Sequence, residues 1–385
     1  MLQQTDRLRI VITEYLSGVT NFFTSGRYWA FKAAFLCYIL GYLTGGFSSP
    51  SYVFNTKLNY DVRVLVSNQI EHPFTQQNNF REYSHEGKRA FRLSTPLLAK
   101  VLGLNVIQLI WLQQAAAFGV FVLFALLITR ITGSREAGYW ACMALAFNMY
   151  GKRGLLDWEC KLDGYMYFYL MAAIYFRKPW LLAFFAFMLG GADERGLFAG
   201  IALIVYHQVA EKRESISNFF KPSPQALGIL SGLVLSVSGR VALMIFTDLK
   251  VGHGNLGIEV MVRKIDYLIQ GIYSGMEAFN FFLLPAAAIL LFNRKYILFL
   301  AWAGTMAISI VLSIMVSDIT RSICLTLPAI ITALVIIERY QKSINWGKYM
   351  FWCMAVCFFY GSYEVSGPIM LPLILKVFIY KYNAG

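Results

Sequence analysis

The chain has 385 residues, of which 58% are hydrophobic and only 14% charged, with a formal net charge of +13 and a mean hydropathy of +0.55. So little polar surface excludes a soluble globule of this length and implies a polytopic integral membrane protein. The positive charge does not point to nucleic acid, because Lys and Arg are scattered through short loops and no basic run is interleaved with stacking aromatics.

At the N-terminus, the segment from Leu8 to Phe23 mixes apolar residues with Arg9, Glu14 and Asn21 and has no small-residue cleavage site. Residues 1–28 therefore read as an interfacial amphipathic segment and not as a signal peptide. Hydrophobic spans follow at 29–47, 104–128, 137–150, 165–176, 180–191, 196–210, 226–247, 277–292, 296–316, 322–337, 348–366 and 368–380. The expected fold is one all-α transmembrane domain over 29–385 with about twelve spans. If the N-terminus is inside, the loops with Arg130/Arg135, Arg177/Lys178, Lys212/Arg213/Lys221, Arg294/Lys295 and Arg339/Lys342/Lys348 fall inside too, as the positive-inside rule requires.

The opposite loops are 48–103, 151–164, 192–195, 248–276, 317–321 and 367, and they carry most of the acidic side chains. Charges at the bilayer are costly and mark pathways or reaction sites, so this extracytoplasmic face is the expected working face of a plasma (inner) membrane protein. Within 180–210 a hairpin turning at 190–196 is expected, since one continuous helix would hold Asp193, Glu194 and Arg195 at mid-bilayer. Spans of 12 residues rise only about 18 Å against a hydrocarbon core of about 30 Å. Their charged tips should line a recess in the outer leaflet.

Loop 48–103 is too small for a catalytic domain of its own, so chemistry has to be built between it and the helix ends. Asp61 lies soon after the first span, and Lys88, Arg89 and Arg92 precede Ser94-Thr95-Pro96, which can start a helix. Asp193, Glu194 and Arg195 mark the hairpin tip. Arg321 follows Asp318 at a spacing that suits a helical ion pair. In loop 151–164, Asp157 and Glu159 flank Trp158, an arrangement suited to a sugar, with the ring on its apolar face and the acids on its hydroxyls; an interface anchor with solvated charges is the plainer alternative. His85 and Glu86, with His72 after Glu71, are possible metal ligands, and His85 and Glu86 are otherwise read as substrate contacts. No spacing matches a zinc signature, so no metal and no cofactor is expected. The cysteines lie mostly in apolar runs with no metal spacing and read as packing residues.

The stretch Phe91-Arg92-Leu93-Ser94-Thr95-Pro96-Leu97-Leu98-Ala99, some thirty residues after Asp61, resembles the first luminal loop of GT-C glycosyltransferases, with the GPI mannosyltransferase I family as the nearest pattern. The family's paired Asp-x-Asp stands here as Asn59-Tyr60-Asp61, with a single carboxylate. The resemblance implies an inverting, metal-independent or metal-assisted transferase that takes a sugar from a polyprenyl-phosphate carrier on the outer face. The chemistry needs a carboxylate to deprotonate the acceptor hydroxyl and cations to stabilise the leaving phosphate. Asp61 is the expected general base, and Arg195, Arg321 and Arg92 are the expected phosphate ligands, because a guanidinium fork matches phosphate. Partners would be the lipid-linked donor, membrane lipids and a lipid, glycan or protein acceptor. The rival classes are a transporter or flippase of a polar or lipid-linked substrate, to which Lys32 and Arg240 inside apolar runs speak, and a polymerase or ligase of lipid-linked oligosaccharides.

Overall fold

The computed structural model describes residues 14–45, 61–75, 87–157, 160–213, 216–250, 261–262, 265, 268–315 and 319–359. Their regular structure is entirely helical, with no strand among them. In chain order the helices are α1 (Trp29–Gly45), α2 (Asp61–Glu71), α3 (Ser94–Val101), α4 (Val106–Thr132), α5 (Arg135–Phe147), α6 (Met149–Leu156), α7 (Asp163–Tyr175), α8 (Pro179–Ala192) and α9 (Arg195–Ala210). After these come α10 (Pro224–Phe246), α11 (Leu268–Met276), α12 (Leu283–Phe292), α13 (Tyr296–Ile314), α14 (Ile319–Ile323), α15 (Leu327–Tyr340) and α16 (Trp346–Phe359).

Among the described residues, five helical stretches are long and apolar enough to cross a bilayer: Val106–Thr132, Pro224–Phe246, Gly271–Phe292, Tyr296–Ile314 and Ile319–Tyr340. Trp29–Thr44, Pro179–Ala192 and Arg195–Ala210 are shorter apolar helices. The protein is thus an all-helical membrane protein, with fewer full-length spans among the described residues than the sequence suggests. One reason is visible at Asn148, whose extended backbone ends α5 while its side chain accepts from the Tyr150 N–H (2.8 Å) to start α6. The expected loop at 151–164 therefore begins inside a helix, and Gly151, Lys152, Gly154 and Leu155 are buried. Another is α7, which is enclosed by protein along nearly its whole length. The expected spans at 348–366 and 368–380 run beyond residue 359, outside the described residues. Loop 48–103 also contains structure: α2 packs on α3, joined by the 3₁₀ turn Gly87–Phe91.

Residues 180–210 form the hairpin. Asp193 has an extended backbone that stops α8, and the free ends of the pair return to one place. Ser223 N donates to Gln208 Oε1 (3.0 Å) at the end of α9, while a Cβ on Gly228, one turn into α10, would sit 2.4 Å from the Pro179 carbonyl at the start of α8. Helices α8 and α10 make the most extensive helix pair among the described residues. The Gly228-x-x-x-Gly232 spacing permits it: a Cβ at Gly232 would lie 2.2 Å from the Ala183 carbonyl oxygen, so only a bare backbone allows this approach. In lipid, where hydrocarbon gives no preference for helix contact over tail contact, such close packing drives association.

The hydroxyls of two buried tyrosines brace the end of the bundle where the charges collect. Tyr150 stacks on Tyr167 (ring centroids 4.5 Å apart) and donates to its carbonyl (2.7 Å). Tyr167 in turn donates to the Arg321 carbonyl (3.1 Å), tying α7 to α14.

Candidate functional site

Segments distant in sequence bring their charged ends together at one place: the turn before α3, the ends of α6 and α7, the α8–α9 tip, α10 and α14. Asp193 is the centre of the first half. Its carboxylate accepts from Arg195 Nε and Nη2 (2.7 Å each) and from the Arg195 backbone N–H (3.0 Å), and it pairs with Arg92 Nη1 at 2.9 Å. Arg195 completes its fork by donating Nη1 to Ser322 Oγ (2.6 Å). Arg92 also reaches Glu194 at 2.7 Å, and Arg240 stands 4.0 Å from the same carboxylate. Asp163 is the centre of the second half, with its Oδ2 shared between Arg153 Nε (3.0 Å) and Arg321 Nη1 (2.9 Å). It opens α7, where the helix dipole also favours a negative charge.

The acids differ in what their surroundings do to them. Burial works against charge on Asp193, but Arg195 and Arg92 outweigh it and hold the carboxyl well below the usual carboxylate range. Asp163 behaves alike: burial opposes ionisation, and Arg321 and Arg153 overcome it. Asp157 goes the other way, pushed up by burial and by the neighbouring Asp163 charge. Its oxygens accept the backbone N–H groups of Lys161 (2.9 Å) and Asp163 (3.1 Å). That turn holds two residues in the left-handed region, Cys160 (φ 64°) and Leu162 (φ 67°), a conformation costly for side chains with a Cβ.

The arginines outnumber the acids. Arg89, Arg92, Arg153, Arg195, Arg240 and Arg321 surround Asp157, Asp163, Asp193 and Glu194, a surplus of two formal charges among the described residues. The residue left over is Arg89. It is buried, its Nε has no hydrogen-bond partner among the described residues, and it forms no ion pair there. Burial and the like charges of Arg92 and Arg321 push its pKa below the ordinary arginine value, while Asp163 and Asp157 pull the other way. A buried guanidinium in this state is costly unless an anion joins it. An oxyanion such as phosphate, which accepts several N–H groups at once, meets that need.

Of the residues expected from the sequence, the structure brings together Arg92, Asp157, Asp193, Glu194, Arg195 and Arg321. Arg195 and Arg321 are committed to carboxylates, and Arg321 pairs with Asp163 across the bundle; Asp318, its expected partner, lies outside the described residues. The Asp157 carboxylate is buried and accepts the N–H groups of its own turn, one on each oxygen. Trp158, Glu159, His85 and Glu86 also lie outside the described residues. Asp61 is the first residue of α2, and its side chain is not among those described. Arg89 and Asp163 join the site without having been singled out. The signal for Arg89 was the run of cations before α3; that for Asp163 was an acid at a helix start. No His/Cys/Asp/Glu group among the described residues is arranged to hold a metal ion. Comparison with family models, with curated proteins and with solved structures finds no match.

Proposed function

We propose that the protein is a GT-C-like membrane glycosyltransferase of about twelve spans. It takes a sugar from a polyprenyl-phosphate carrier and passes it to a lipid, glycan or protein acceptor on the extracytoplasmic face. The observation that supports this reading is the arginine surplus among the described residues, in which the buried Arg89 has no ion pair there. A leaving phosphate gains negative charge as the glycosidic C–O bond breaks, and buried guanidinium groups already in position stabilise that charge without reorganising. In the proposed step the acceptor oxygen attacks the anomeric carbon and its proton passes to Asp61. The phosphate departs with the bonding electron pair to Arg89 and Arg92. Asp193 and Asp163, both locked in arginine pairs, hold the site in shape and leave the proton to be taken elsewhere.

The test is transfer from a panel of polyprenyl-phosphate hexoses by the purified protein in nanodiscs, with polyprenyl-phosphate binding read in parallel. Arg89→Ala should lose binding and transfer together, and Arg89→Lys should keep part of the binding. Wild-type protein that neither binds nor consumes any donor would refute the reading. Transport is the rival supported by a separate observation, the buried Lys152 and Glu277, which attract each other inside the bundle. Flux of a lipid-linked sugar across proteoliposomes without transfer would favour it.

A further inference from the structure

An open groove leads from the side of the bundle to the arginine site. It has room for about 230 Å³ and runs between α3, the end of α8 and the second half of α10. Phe91, Leu97, Phe187 and Leu243 give it apolar walls, and Ser94, Ser236 and Arg240 are its polar groups. The Ser94 hydroxyl is spent on the Met188 carbonyl (2.9 Å). The Ser236 hydroxyl and Arg240 Nε are buried with no hydrogen-bond partner among the described residues. Arg240 donates Nη2 to the Gly190 carbonyl (2.8 Å), and its nearest carboxylate, Glu194 at 4.0 Å, is already held by Arg92 at 2.7 Å. The groove is therefore apolar along its length with an under-neutralised cation at its inner end. Val237, Val241 and Met244 on the same helix α10 are exposed and apolar.

We propose that this groove seats the hydrocarbon of a single-chain lipid phosphate arriving sideways from the membrane, with Arg240 the first cation to meet its head group. The inference rests on reading the arginine cluster as a phosphate site and adds the entry route and the chain selectivity. A space of about 230 Å³ accommodates part of one hydrocarbon chain. The paired chains of a diacyl lipid would compete for it. From Arg240 the charge path runs through Glu194 to Arg92 and Asp193 over contacts of 4.0, 2.7 and 2.9 Å. A phosphate that displaces Glu194 from Arg240 is then handed toward Arg92 and Arg89.

Gly239 provides a clean obstruction: it lines the groove, and no heavy atom lies within 4 Å of where its Cβ would be. Binding of dodecyl phosphate, butyl phosphate and dilauroyl phosphatidic acid to the full-length protein is measured by calorimetry in one detergent. Wild type should favour dodecyl phosphate over each of the others by at least about tenfold, since the single chain buries more apolar surface in the groove. Gly239→Leu should erase that preference and keep butyl phosphate binding, with an unchanged unfolding temperature. Should Gly239→Leu not fold, Leu243→Trp narrows the same groove. Equal affinity for the two alkyl phosphates in wild type, or a preference that survives the obstruction, overturns the groove while the phosphate site stands. Failure of every phosphate to bind overturns both.

Discussion

Replacing Asp193 by Asn removes a charge that two buried guanidinium groups share, and it should be among the most damaging single changes in the molecule. Asp193 receives Arg195 at 2.7 Å twice, the Arg195 backbone N–H at 3.0 Å and Arg92 at 2.9 Å. Removing one partner of a buried pair typically costs about 3–5 kcal/mol, because the remaining charges stay desolvated. Arg92 keeps Glu194 at 2.7 Å and Arg195 keeps Ser322 at 2.6 Å, which places the cost at the lower end. At ~2 °C per kcal/mol, as for larger domains, ~3 kcal/mol lowers the unfolding temperature by ~6 °C. Tryptophan fluorescence of the protein in nanodiscs reads this directly. Glu194→Gln is the control: that side chain is 37% exposed, so its loss should cost less than ~1 kcal/mol. The pH dependence has a definite sign. A carboxyl held below its usual range stabilises the fold fully above the unfolded value of about 4, and the contribution falls away as pH drops toward the folded value. The gap between wild type and Asp193→Asn should be constant from pH 5 to 8 and narrow only in acid. Equal unfolding temperatures for Asp193→Asn and Glu194→Gln would refute the central role given to Asp193.

Three further outcomes are expected. Asp61→Asn should lower transfer by roughly two to four orders of magnitude while donor binding persists, as expected for a lost general base; a variant with more than a tenth of the wild-type rate would move that role to another acid. Gly232→Ala should destabilise by about 1–3 kcal/mol, as overpacking does, since its methyl would meet the Ala183 carbonyl at 2.2 Å; an unchanged unfolding temperature would mean that α8 and α10 lie farther apart. With all six natural cysteines buried, cysteines placed at the exposed Thr75 and Lys342 should react with an impermeant maleimide from opposite sides of the membrane. Labelling of both from one side would remove the proposed topology.

The sequence revealed where the charges gather but not how they pair. Because Asp193, Arg195 and Arg321 interrupt apolar runs, the cost of burying them was enough to place them at helix ends and to predict the hairpin. Partners separated by long stretches of chain leave no such trace: Arg321 meets Asp163, 158 residues away. Arg89 and Arg92 stand in one basic cluster with Lys88. Only the packing of the turn before α3 directs Arg92 to two carboxylates and leaves Arg89 without one among the described residues. Asp157 stood out beside Trp158 in the sequence, but nothing there reports that its two oxygens each accept a backbone N–H of their own turn.

The bond from Arg195 to Ser322 spans 127 residues, and it sets a schedule for biosynthesis. At about 5–20 residues per second, the ribosome delivers Ser322 roughly 6–25 s after Arg195. Throughout that interval the α8–α9 tip must wait with one guanidinium nitrogen unsatisfied and with Asp163 lacking Arg321. Insertion of the early helices and closure of the charged site are therefore separate events. A ribosome stalled before α14 would leave a membrane-embedded chain whose early helices are in place and whose charged cluster is still open.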